Sequence, residues 1–223
     1  MRANQRALDS IAINLANLGT TGYKRVRTAN HQFEIPREHG NVRGLEVTGD
    51  VDFRQGELNR TGRPLDLALY GEGFFAVESG RRGEVYTREG SFHLTEQNVL
   101  VTEDGHQVAW ESLTGTLQAT GTPIEIDGEG VVRQGGAEIG RLRIVDFEDR
   151  TRLRQDADGY WRAPRATKQT AHSATVHQGA LEDSNANGME ELVAMISVQR
   201  SFESVANVMS SIEDSYRRLT QPF

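Results

Sequence analysis

Apolar positions along this chain fall into three periodic regimes. Near the start, Leu8, Ile11, Leu15 and Leu18 are spaced by three, four and three residues, which draws one apolar stripe along a helix. Gly19 follows at once, and Thr20-Thr21-Gly22 continues as a turn, so the helix is expected to stop there. Read backwards, the stripe reaches Asn4 and Met1, and the seam is expected to begin before Met1. A helix over residues 1–18 is about 27 Å long.

The other end carries the same spacing for longer. Met195, Val198, Phe202, Val205, Met209, Ile212, Tyr216 and Leu219 alternate steps of three and four, and every one is apolar or aromatic. That is an a/d seam sustained for more than three heptads. Ser184, Asn185 or Asn187 offers an N-cap. Glu190 and Glu191 suit the positive end of the helix dipole, and Arg217 and Arg218 suit its negative end. The spacing predicts a helix over about 189–219, roughly 45 Å long.

Between the helices, about Leu45 to Val176, the period changes to that of strands. Runs such as LDLALY (65–70), GFFAVES (73–79), VYTREGSFHL (85–94) and GRLRIVDF (140–147) alternate or cluster apolar residues between glycines. Asp104-Gly105, Asp127-Gly128 and Asp158-Gly159 are hairpin-turn signals. The expected fold is mixed α and β: an irregular all-β central domain flanked by N- and C-terminal helices that pair as a coiled coil. The expected divisions are 1–44 (helix and extended linker), 45–176 (central β domain) and 177–223 (linker and heptad helix).

A long helix with a narrow apolar seam is unstable alone in water and must bury that seam. The N-terminal stripe is the partner within the chain, yet it is shorter than the seam it would cover. The remainder is expected to be covered by another subunit or by helix preceding residue 1. Contacts between copies that are heterologous and do not close generate a helical filament. The alternative from periodicity alone is a soluble binding or adaptor module whose helices dock on its own β domain.

Composition narrows the function classes. The 223 residues include 25 Lys+Arg, 32 Asp+Glu and no cysteine, for a net charge of −7. Zero cysteine excludes disulfides, thiolate metal sites and cysteine nucleophiles. An acidic total argues against nucleic acid as a partner, and no run approaches the ~18 apolar residues of a membrane span. The start MRANQRALDS lacks the apolar core of a secretory signal. Residues 1–43 carry +4, leaving −11 for the rest, a division that lets complementary charges meet within the molecule or between copies.

Chemistry is sparse. The six histidines fall in no metal-binding spacing, and His172 and His177, five apart in a polar stretch, read as a solvated pair. Asp156-Ala-Asp158-Gly159 resembles the opening of a calcium loop without its later Gly and closing Glu, and reads as a turn. Gly71-Glu-Gly73 and Gly128-Glu-Gly130 do not extend into a phosphate loop. Glu182 and Asp183 are adjacent in an expected loop, and such adjacency identifies no shared site. No enzyme activity, metal or cofactor is expected.

Three segments together resemble the flagellar rod and hook protein family of bacteria. Leu8 to Arg25 (LDSIAINLANLGTTGYKR) is similar to the family's I-A-x-N-L-A-N helix ending in N-T-T-G-[FY]-K. Gln55 to Val77 (QGELNRTGRPLDLALYGEGFFAV), with Tyr86 to Phe92 (YTREGSF), resembles the run Q-G-x-L-x-x-T-G…L-D-x-A-I-x-G-x-G-F-F…Y-T-R-x-G-x-F. Gln178 to Asn185 (QGALEDSN), continuing through Met189, Met195 and Gln199-Arg200-Ser201-Phe202, resembles the C-terminal G-x-L-E-x-S-N-V…Q-R-x-[FY]-E signature. Thr20 stands where the family commonly has Asn, and family members usually begin with two or three further helical turns.

The resemblance implies a non-enzymatic subunit of the basal-body rod, polymerised with other copies and other rod proteins into a hollow helical shaft that passes torque. It implies that the terminal helices line the inner tube through Leu8, Ile11, Asn14, Leu15, Asn17, Leu18, Met195, Val198, Phe202, Val205, Met209, Ile212, Tyr216 and Leu219. It further implies passage through the flagellar type III export apparatus without a cleaved signal peptide, to a periplasmic rod and with no direct membrane insertion. Gly140-Arg-Leu-Arg-Ile-Val145 and Leu153-Arg-Gln-Asp-Ala-Asp-Gly-Tyr160 resemble the proximal-rod type, which is preferred. Gly73-Phe-Phe75 and Thr61-Gly62 are closer to the distal type.

Overall fold

A computed structural model describes residues 2–35, 42–80, 83–156 and 158–220, with the side chains of residues 2, 3, 29–48, 214, 216 and 218–220 outside it. Helix α1 spans Arg2–Ala16 and α2 spans Gly188–Thr220. The strands, in chain order, begin with β1 (Val26–Ile35), β2 (Val42–Val51), β3 (Leu58–Arg60), β4 (Leu67–Tyr70), β5 (Phe74–Glu78) and β6 (Glu84–Thr87). Next come β7 (Phe92–Leu94), β8 (Leu100–Thr102), β9 (Gln107–Val108), β10 (Trp110–Leu113), β11 (Ile124–Ile126), β12 (Val131–Gln134) and β13 (Ala137–Leu142). The last are β14 (Ile144–Phe147), β15 (Arg154–Gln155), β16 (Trp161–Arg162), β17 (Gln169–Thr170), β18 (Thr175–Gln178) and β19 (Ala180–Glu182). The fold class is therefore mixed α and β.

The chain divides into two compact units. One comprises Met1–Leu18, Arg25–Asp52 and Ala186–Phe223; the other comprises Gly19–Lys24 and Phe53–Asn185. In the helical unit, α1 and α2 run antiparallel: Asn4 Nδ2 donates to Ser201 Oγ at 3.3 Å and Asn14 Nδ2 donates to Glu191 Oε1 at 3.1 Å. The unit also holds the antiparallel ribbon of β1 and β2, in register from Val26 opposite Val51 to Ile35 opposite Val42. Of the three expected caps, Asn187 is the one used for α2, since its Oδ1 accepts from the Met189 and Glu190 amides.

In the β unit a nine-stranded sheet contains the path β15-β16-β6-β5-β9-β8-β7, with β14 joined to β5 and β17 to β14. A four-stranded sheet runs β10-β13-β12-β11, and two short pairs, β18-β4 and β19-β3, complete it. Phe74, Phe75, Ala76 and Val77 on β5 are all essentially buried, because both faces of that central strand are covered. The core brings Phe75 and Val77 together with Leu67, Leu69, Val132 and Leu142, and the Phe75 and Phe92 rings meet edge to face at 5.3 Å.

All three Asp-Gly pairs sit between strands that pair antiparallel: β8 and β9, β11 and β12, β15 and β16. Two of the apolar runs each span two strands. VYTREGSFHL breaks after Thr87, whose hydroxyl accepts the Glu89 amide and turns the chain. GRLRIVDF breaks at Arg143, where the chain passes from the four-stranded sheet into the nine-stranded one.

Candidate functional site

The residues expected to form an assembly seam lie in the helical unit. Ile11 and Asn14 are buried, while Leu8, Leu15, Asn17 and Leu18 are half-buried. Leu18 reaches the first turn of α2: a Cβ on Gly188 would stand 3.0 Å from its Cδ1. Asn17 Nδ2 donates to the Ile13 carbonyl at 2.9 Å, a second bond to an acceptor that also takes the Asn17 amide at 3.2 Å.

On α2 the seam has two parts. Met195, Val198 and Phe202 are half-buried, along the stretch that α1 accompanies. Beyond them Val205, Met209 and Ile212 are 40%, 47% and 50% exposed. The side chains of Tyr216 and Leu219 lie outside the described residues. Near the start of α2, Leu192, Val193 and Ile196 are exposed as well.

Asn14 is polar at the centre of an apolar stripe, and it is 1% exposed. Its amide group pairs both backbone groups of Val26, donating to the carbonyl and accepting from the amide at 2.9 Å each. The same Nδ2 reaches Glu191, whose carboxylate is ion-paired with Arg25, and Arg25 also pairs with Glu190 at 3.0 Å. A buried polar group is tolerated only when satisfied. This node satisfies four groups at once and sets the register of α1, α2 and the start of β1.

A second buried node was not legible in the sequence. Glu182 reads as one of two adjacent carboxylates in a loop, but it ends strand β19 and is fully buried. One carboxylate oxygen takes Lys24 Nζ at 2.5 Å and the Gly56 amide at 2.9 Å, and the other takes Arg88 Nη1 at 3.2 Å. Lys24 also donates to the Arg54 carbonyl, and Arg88 to the Gly71 carbonyl at 2.8 Å. The Arg88 guanidinium stands 5.3 Å from the centre of the Phe74 ring. Burial pulls the Arg88 pKa below its ordinary value, and the charge of Glu182 acts in the opposite direction.

Each of the three resembling segments supplies one member of this triad: Lys24 from the first, Arg88 from the second and Glu182 from the third. A charged residue fixed within each motif was the available signal. The turn before Lys24 is equally constrained. Gly22 has φ +69°, and a Cβ there would lie 2.4 Å from the backbone of Arg88, so only glycine fits.

Elsewhere, Asp156 is ion-paired with Arg162 at 2.9 Å, and His172 Nδ1 lies 3.1 Å from the Ala174 carbonyl. Among the described residues no group of three or more His, Asp or Glu is placed to hold a metal ion. No described helix is long and apolar enough to cross a membrane.

Fold and site together define a mixed α and β scaffold protein, whose buried polar groups hold chain segments in place and whose longest helix continues an apolar seam into solvent. Residues 68–134 match the family described as flagellar hook protein FlgE/F/G D1 domain, and residues 177–221 match flagellar basal body rod FlgEFG protein C-terminal. The chain is 34% identical over 221 residues to flagellar basal-body rod protein FlgF of Caulobacter vibrioides, covering 96% of this chain and 90% of that one. It is 28% identical over 253 residues to flagellar basal-body rod protein FlgG of Bacillus subtilis (98% and 94%), and 28% over 249 residues to FlgG of Buchnera aphidicola from Acyrthosiphon pisum (98% and 95%). The chain belongs to the flagellar basal-body rod protein family.

Proposed function

We propose that this chain is a non-catalytic structural subunit of the flagellar rod, in which α1 and α2 form a coiled coil and the open part of the α2 seam is covered by other rod subunits. The observation that carries the reading is the change of exposure along one seam: half-buried at Met195, Val198 and Phe202, about half exposed at Val205, Met209 and Ile212. Apolar side chains kept at heptad spacing beyond the intramolecular partner are what a second helix buries. The partners are other copies and neighbouring rod proteins, reached after passage through the flagellar export apparatus, and the subunit stacks into a hollow helical shaft that carries torque. Within that shaft the proximal-rod type is preferred, supported by the segments 140–145 and 153–160.

The test is Met209→Asp. The variant is expected to keep the wild-type melting curve as a monomer and to lose incorporation into isolated basal bodies, with loss of swimming. Normal incorporation and motility would overturn the seam as an assembly surface.

A further inference from the structure

We propose that Glu182 is a charge-operated clasp on the β unit, one that closes last in folding and opens first. Three observations within that unit carry this. The pieces that Glu182 joins are far apart in the chain: it stands 158 residues from Lys24, 126 from Gly56 and 94 from Arg88. Closing such loops carries an entropy cost that must be met before the contacts form.

The strands concerned also stand outside the hydrogen-bond ladders of the two larger sheets, although Leu67 and Leu69 of β4 and Leu181 of β19 are buried. β3 pairs with β19 and β4 with β18 in separate two-stranded pairs, outside the nine- and four-stranded sheets. Backbone bonds then tie the two ends of the unit together: the Gly22 amide to the Glu182 carbonyl at 2.7 Å, the Gly179 amide to Asp66 at 2.7 Å, and the Asp183 amide to Glu57 at 2.8 Å.

Charge is the third. Lys24 and Arg88 are both buried in the closed unit, and burying two cations before the shared carboxylate arrives is strongly opposed by desolvation. They therefore stay hydrated until residues 180–185 dock. Because a chain is made from its N-terminus, the β unit stays open until the segment bearing Glu182 is available. The clasp follows from the intramolecular geometry alone and stands whether or not the chain assembles.

The test is urea-dependent hydrogen exchange and stopped-flow folding on the full chain. The Gly22, Gly179 and Asp183 amides are expected to exchange through one shared opening, about 10- to 100-fold more often than the amides of β5 and β12 and with a shallower urea dependence. Glu182→Gln is expected to speed unfolding about 100-fold or more and to leave the folding rate within about twofold of wild type. Should that variant fail to fold, Lys24→Met, which keeps Glu182 with Arg88, is expected to show the same partition at about 10-fold. A single global opening shared by all these amides, or a folding rate that falls as far as unfolding rises, overturns the clasp.

Discussion

Removing the carboxylate from the Lys24–Glu182–Arg88 node is expected to cost more than removing one of its cations. In Glu182→Gln the shape is kept, but Lys24 and Arg88, 1% and 4% exposed, remain as two buried positive charges. Breaking a buried ion pair in this sense costs about 3–5 kcal/mol. In Lys24→Met the remaining pair is neutral overall: Glu182 keeps Arg88 and the Gly56 amide, and the Arg54 carbonyl keeps Asn185 Nδ2 at 2.7 Å. What is lost there is one charge-assisted bond, about 1.5–3 kcal/mol, offset in part by an apolar side chain in a dry site. At about 2–4 °C per kcal/mol for a chain of this size, Glu182→Gln melts ~6–20 °C lower and Lys24→Met ~3–10 °C lower. Urea unfolding followed by tryptophan fluorescence, with Trp161 buried in the β unit, measures both. Because the charges are buried, the difference should persist in 0.5 M salt. A Lys24→Met cost equal to or above that of Glu182→Gln, or a Glu182→Gln cost below about 1 kcal/mol, would refute the reasoning.

The remaining expectations concern pH, backbone and the helical unit. The Asp146 carboxyl is pushed up by burial, but its bonds from Arg150 outweigh this and hold its pKa below the ordinary value; its stabilisation is therefore present above the unfolded value near ~4 and lost as pH falls through the folded value. Asp146→Asn should flatten that acid limb in a series of melts. Glu89 has the opposite sign: burial first, then Glu103 and Asp104, raise its pKa, so Glu89→Gln should stabilise at pH 7, with the gain shrinking below the folded value of Glu89 and gone once pH falls through the unfolded value near ~4. Gly22→Ala should cost roughly 2–4 kcal/mol in equilibrium unfolding. Gly62→Ala, at φ +74° with nothing within 4 Å of its Cβ, should cost only about 1 kcal/mol. Asn14→Leu leaves both backbone groups of Val26 and the Glu191 carboxylate short of a partner; circular dichroism should show the helices melting earlier by about 2–3 kcal/mol.

What the residue pattern determined is what neighbours along the chain determine. Helix α2 follows from steps of three and four between Met195 and Leu219, since residues that close along the chain define a face by themselves. The three Asp-Gly hairpins are equally local, because the turn conformation belongs to two residues. The same locality leaves a change of sheet unseen: nothing in the GRLRIVDF run shows that the chain passes from one sheet to another at Arg143.

Only the tertiary structure decided which charged residues are buried together and which stretch of the seam is already covered. Lys24, Arg88 and Glu182 look like ordinary polar residues in three motifs, and their meeting depends on closures of 94 to 158 residues. Met195 and Met209 occupy equivalent seam positions, yet one is half-buried and the other 47% exposed, because α1 accompanies only part of α2. Periodicity says that a face must be buried; the packing of distant segments decides against what.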